Sequence, residues 1–117
     1  MVVDDEELVG RVASLSLENA GHRVALFRSP TAALSHYREH WRTIDLAVID
    51  VVMPEMTGQE LLAQMRAVNS NVAAVLVSGH LPDTSVPQLL ERGARAFLPK
   101  PFTPSELCTS VSRALDA

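Results

Sequence analysis

The sequence predicts a doubly wound α/β sandwich around a five-stranded parallel sheet, and three observations carry that prediction. Five short strand-like runs (Met1–Val3, His22–Phe27, Leu46–Ile49, Ala73–Val77 and Ala96–Leu98) alternate with stretches of helical periodicity. Mostly apolar runs of this length suit strands buried on both faces, as in parallel sheets. Connections are short, and capping residues open the helical stretches. Finally, Asp4-Asp5, Asp50 and Ser78 stand directly beyond a run, and Lys100 follows the last one after Pro99. Ligands of open α/β sheets gather just past the carboxyl ends of the strands, so these groups should share one rim.

Each element has its own justification. A first helix is expected over Leu8–Ala20, with Leu8, Val12 and Leu15 inward and Arg11, Ser14 and Glu18 in water. Gly21 suits its C-terminal cap. Ser29-Pro30 pairs a capping hydroxyl with proline at the first helical position, and Leu34, Tyr37 and Trp41 form the buried stripe of helix 2. Thr57-Gly58-Gln59-Glu60 is a capping box for helix 3, whose inner face is Leu61, Met65 and Val68. Ser78–Thr84 is irregular, and Ser85-Val86-Pro87-Gln88 opens a short helix 4 that stops at Gly93. Thr103-Pro104-Ser105-Glu106 opens helix 5, with Leu107, Val111 and Leu115 inward. Three residues before Asp4 make a short central strand, so a truncated or misassigned N-terminus is expected.

At 117 residues the chain is the length of one domain. Hydrophobic content of 47% with 21% charged residues excludes a disordered chain. A formal net charge of −4, with no cluster of Lys or Arg, argues against direct nucleic-acid binding. The single cysteine, Cys108, excludes an internal disulfide, and its helical spacing from Val111 suggests a buried thiol. No apolar run approaches a membrane span and no leader precedes Asp4, so a cytoplasmic location is expected.

Three carboxylates, a hydroxyl and an ammonium on one rim suit Mg²⁺ and phosphate. Mg²⁺ takes oxygen ligands, usually one or two carboxylates with several waters. Crowded carboxylates repel, so one of them should titrate high unless metal is bound. An aspartate held there can attack phosphorus and form an acyl phosphate, with Lys100 and Ser78 meeting the charge on the phosphoryl oxygens.

The pieces Val2-Val3-Asp4-Asp5-Glu6, Asp50-Val51-Val52-Met53-Pro54-Glu55-Met56-Thr57-Gly58, Val77-Ser78-Gly79 and Gly93–Phe102 resemble the receiver domain of two-component response regulators over the whole chain. That resemblance implies a flavodoxin-like (βα)₅ fold with Asp50 as phosphoacceptor. It implies Mg²⁺ held by Asp5, Asp50 and the backbone carbonyl of Val52, with Asp4 acting through metal-bound water. Ser78 becomes the switch hydroxyl, Phe97 the aromatic that rotates with it, and Lys100-Pro101 a cis peptide. The implied partners are a histidine kinase or histidine phosphotransfer protein and a downstream output domain or protein. Homodimerisation through the face of helix 4, strand 5 and helix 5 is compatible with it.

Simpler roles exist for each residue alone. Asp4 or Asp5 can cap helix 1, Ser78 can be a turn residue, and Lys100 a surface charge. Their joint placement favours the functional reading, and Thr57 already caps helix 3, leaving Asp50 without that role. Leu34, Tyr37 and Trp41 read as core rather than as a cofactor box. His22, His36 and His40 read as ordinary surface or boundary residues without zinc-ligand spacing, and His80 as a solvated loop residue near the site mouth. Two other classes are weaker. An aspartyl-nucleophile phosphatase or phosphotransferase of the haloacid-dehalogenase type wants a second Asp where Val52 stands. A flavin or nucleotide module wants a phosphate loop where Asp4-Asp5-Glu6-Glu7 stands. A non-phosphorylated pseudo-receiver scaffold completes the alternatives.

Overall fold

The computed structural model describes residues 1–79 and 86–116. Five parallel strands, β1 (Val2–Val3), β2 (Leu26–Phe27), β3 (Ala47–Asp50), β4 (Ala74–Ser78) and β5 (Ala96–Pro99), form one sheet in the order β2-β1-β3-β4-β5. The helices are α1 (Glu7–Asn19), α2 (Pro30–His40), α3 (Gly58–Val68), α4 (Val86–Glu91) and α5 (Pro104–Asp116), with a 3₁₀ turn at Trp41–Thr43. The predicted flavodoxin-like architecture is therefore present.

Side chains alternate along each strand, so the sheet separates two cores. Val3, Ala47, Ile49, Ala74 and Leu76 pack with Leu34, Tyr37, Leu61, Leu62, Met65 and Leu89 of α2, α3 and α4. Val2, Val48, Val75, Val77 and Leu98 pack with Ala13, Leu17, Leu107 and Val111 of α1 and α5. The two-residue β1 is anchored on both sides, with Val2 in register with Leu26 and with Val48.

The expected caps form. Ser29 accepts from the Ala32 amide, and Pro30 opens α2. Thr57 accepts from the Glu60 amide, and Thr103 and Glu106 exchange reciprocal bonds at the start of α5. Gly21 has a φ of 99° and follows α1 in a Schellman pair, Gly21 to Glu18 and His22 to Leu17.

Several faces differ from expectation. On α1, Leu8, Val12 and Leu15 point outward, whereas Gly10, Ala13, Ser14 and Leu17 are buried. Both sets have helical spacing. Along the first two turns the small residues Gly10, Ala13 and Ser14 win because the helix lies close to the sheet there: a Cβ on Gly10 would stand 3.1 Å from Leu26 Cδ1, whereas Leu17 fits one turn further on. On α5, Ala114 takes the inward position expected of Leu115, which is exposed. Trp41 falls in the 3₁₀ turn and is half-buried, with the Arg42 guanidinium 4.7 Å above its ring. Val68 is half-buried, and Leu62 completes the α3 face instead. The strand expected over His22–Phe27 pairs only at Leu26–Phe27, because the α1 C-cap occupies His22 and leaves it and Arg23 exposed. Cys108 is half-buried between α1 and α5, its thiol 3.6 Å from the Ser16 carbonyl. His80 and the start of helix 4 at Ser85 lie outside the described residues.

Candidate functional site

Parallel strands end in step, and that brings the chemistry together. Asp4 directly follows β1, Asp50 ends β3, Ser78 ends β4 and Lys100 follows β5. One ligand oxygen each from Asp4, Asp5 and Asp50 lies within 4.8 Å of the others. Asp4, Asp50 and Ser78 are buried, and Asp5 Oδ1 is buried without a hydrogen-bond partner. The Lys100 ammonium lies 3.0 Å from Asp4 Oδ2, 3.4 Å from Asp50 Oδ2 and 3.6 Å from Glu6 Oε1. Lys100-Pro101 is cis, and the Lys100 amide donates to the Ser78 carbonyl, tying β5 to β4 at the rim.

Neither Asp4 nor Asp5 caps α1, since Glu6 occupies that position without a side-chain bond. Asp4 Oδ1 instead accepts the Glu6 amide at 2.9 Å, which fixes one oxygen and leaves the other facing Lys100. Val52 is 63% exposed beside Asp50 and lines a cleft of about 830 Å³ with Asp5, Leu8, Val12, Ser78 and Phe102. Phe97 lies one residue into β5, half-buried against the α2–α3–α4 core. The sequence reading missed the apolar cleft wall from α1, because it turned Leu8 and Val12 inward.

Burial pushes the Asp50 carboxyl up to about 7, and the neighbouring Asp4 charge and a bond with Asp5 add to the rise. Lys100 and the Val52 amide oppose it. Burial pulls the Lys100 ammonium down, but Asp4, and then Asp50 and Glu6, more than offset this and raise it. One ammonium faces several carboxylates and sits nearest Asp4, so Asp50 remains undercompensated. Oxygen donors only, an unpartnered buried Asp5 oxygen and excess negative charge fit a hard divalent cation such as Mg²⁺.

Gly58, first in α3, keeps the loop after Asp50 in place. Its amide donates to the Val51 carbonyl, and a Cβ there would stand 2.6 Å from the Asp50 carbonyl oxygen and 2.9 Å from Val51 Cα. Backbone cannot step aside as a flexible side chain can. Gly58→Ala should therefore cost about 1–3 kcal/mol despite alanine's better helix propensity. The check is the urea midpoint beside Gly79→Ala, where the nearest atom lies 3.8 Å from the added carbon and little change is expected.

A family model for the response regulator receiver domain matches residues 1–112. The chain belongs to that family. Among its relatives, the sensor kinase CckA of Brucella abortus is 34% identical over 116 residues, covering 99% of this chain and 12% of that protein. The DNA-binding transcriptional regulator NtrC of a Bradyrhizobium strain is 32% identical over 120 residues, covering 98% of this chain and 24% of that protein. This receiver chain thus spans a small part of these curated relatives. The NtrX receiver domain of Brucella abortus superimposes with a TM-score of 0.90 at 26% identity, covering 99% of this chain and 97% of that one. A Clostridium thermocellum receiver domain gives 0.92 at 26% identity, covering 98% and 91%. Among the described residues, no helix of this receiver is long and apolar enough to cross a membrane.

Proposed function

We propose that this receiver is a phosphoacceptor switch taking a phosphoryl group on Asp50 from a histidine kinase or histidine phosphotransfer protein. The observation that carries this reading is the buried Asp50 carboxylate, 3.4 Å from the Lys100 ammonium at the mouth of an open cleft. A carboxylate oxygen of Asp50 forms the new O–P bond as the donor's P–N bond breaks, and the bonding electron pair leaves with the imidazole nitrogen. Lys100 meets the charge on the phosphoryl oxygens. Asp5, Asp50 and the Val52 carbonyl would hold Mg²⁺, with Asp4 acting through water. The ion, when bound, neutralises the crowded carboxylates and the transferring group.

Phosphorylation adds roughly −1.5 to −2 charge and strong acceptor oxygens. The Ser78 hydroxyl engages them, and Phe97 turns inward with it. The face formed by α4, β5 and α5 is thereby reshaped for an output domain or partner, or for a second copy of the chain. The protein is not a turnover enzyme on external substrates; it gains and loses its own phosphoryl group. Residues 1–117 act as a single receiver domain in the cytoplasm, without direct nucleic-acid contact of their own.

Incubation with Mg²⁺ and acetyl phosphate, followed by intact mass measurement, tests the reading. A gain of one phosphoryl mass that EDTA prevents and Asp50→Ala abolishes is expected. No gain, with beryllofluoride also failing to alter the fold or Mg²⁺ affinity, would leave a pseudo-receiver scaffold.

Val52 cannot hold an attacking water by a side-chain hydrogen bond, so the acyl phosphate should decay slowly. In Val52→Asn the decay should quicken by about tenfold, the kinetic equivalent of one well-aimed hydrogen bond. An unchanged decay rate of purified phosphoprotein would refute this role.

A further inference from the structure

We infer that His36 and His40 on α2 form a binding site for a borderline divalent transition-metal ion of the zinc, nickel or copper class. The two residues stand one helical turn apart and share a face. That is the spacing with which a helix offers paired imidazoles to zinc, and reading them as separate surface residues overlooks it. In the structure their ring centroids lie 4.5 Å apart with planes tilted 36°. The Phe27 ring, 5.0 Å from that of His36, braces the pair from the sheet side, so less side-chain freedom is lost on binding.

The site is a two-imidazole chelate whose other ligands are water, and its surroundings are compatible with a cation. His40 is the last residue of α2, where the helix presents its negative end. The Glu39 carboxylate comes within 3.9 Å of His40 Nε2. His36 also lines a cavity of about 550 Å³ shared with His22, Thr43 and Asp45, which leaves room for coordinated water. Of the nearby cations, Arg38 is held by Gln64, Arg42 by the Trp41 ring and the Met1 ammonium by the Leu46 carbonyl, while Arg23 lines the cavity itself. Imidazole nitrogen suits zinc, nickel or copper and binds magnesium poorly, whereas the all-oxygen carboxylate cluster suits magnesium, which in excess keeps that cluster occupied. The pair shares no ligand with the Asp4, Asp5 and Asp50 cluster, so the two sites can fill independently.

The test is a Cu²⁺ titration of the intact chain with Mg²⁺ in excess, following the four histidine ring signals by NMR. His36 and His40 signals should broaden together at substoichiometric Cu²⁺, ahead of those of His22 and His80. His40→Gln alters an exposed side chain and leaves the Phe27–His36 contact untouched. It should weaken binding at least about tenfold and protect the His36 signal. His36→Gln should do the same for His40. Equal broadening of all four histidines, or a His36 signal that broadens in His40→Gln as in the wild type, would overturn the proposal.

Discussion

Replacing Asp50 with asparagine should abolish phosphoryl labelling and, in the same protein, raise the stability of the metal-free fold above pH 7. The two effects share one cause. Burial and the Asp4 charge hold the Asp50 carboxyl up at about 7, against an ordinary 3.8. A native pKa above the unfolded one means that the native state binds the extra proton between these values, so ionisation favours unfolding. The cost is absent below about 3.8, grows through the interval, and is complete above about 7. Asparagine keeps the shape and removes the charge. Lys100 and solvent share part of the burden, so the gain at pH 8 should be on the order of 1–3 kcal/mol. That corresponds to a rise in thermal midpoint of at least about 4 °C. The measurement is the difference between wild type and variant in EDTA from pH 4 to pH 8, which cancels the titration of the other acids. A difference that does not widen with pH would remove the account of Asp50 as an undercompensated buried charge. Saturating Mg²⁺ should close the gap by stabilising the wild type, by about 2.7 kcal/mol at one hundred times its dissociation constant.

The site was more legible in the sequence than the helix faces were, and the reason is physical. Asp4, Asp50, Ser78 and Lys100 are fixed by covalent position, at the ends of β1, β3, β4 and β5, and parallel pairing alone brings them to one rim. No side-chain packing has to be foreseen. The inward face of α1 depends on how closely the helix approaches the sheet. Leu8, Val12 and Leu15 match helical spacing, yet Gly10, Ala13, Ser14 and Leu17 match it too. Only the approach, read at Gly10 against Leu26 Cδ1, decides between a stripe that is large throughout and one that starts small and ends at Leu17. The same competition puts Ala114 inward and Leu115 outward on α5. The run His22–Phe27 reads as one strand because its pattern carries no sign that the His22 amide is already committed to the Leu17 carbonyl. The β-branched pattern of β3 and β4 is unambiguous because those strands are covered on both faces.

Lys100→Met should be the most damaging single change at the rim that leaves the phosphoacceptor itself in place. The ammonium is mostly buried and lies within 3.0 Å of Asp4 Oδ2 and 3.4 Å of Asp50 Oδ2. Removing it leaves two buried carboxylates facing each other without a cation, a situation that costs about 3–5 kcal/mol. The cost should be conditional, and that separates it from a packing defect. In acid the carboxyls are protonated and the penalty should shrink. With Mg²⁺ the missing charge is replaced, so the variant should gain more stability from the metal than wild type does. A loss of packing would follow neither variable. Because Lys100 is the chief group holding the Asp50 pKa down, the Asp50 carboxyl should titrate higher still in its absence. Labelling by acetyl phosphate should fall by about 10²-fold even at saturating Mg²⁺, since a fixed donor to the phosphoryl oxygens is gone. Lys100→Arg sharpens the result. It keeps the charge, so most of the stability should return, but a planar fork cannot occupy the place of a compact ammonium between Asp4 and Asp50. Stability restored without labelling would assign Lys100 a positional role in phosphoryl transfer. Full recovery of both would mean that only its charge matters.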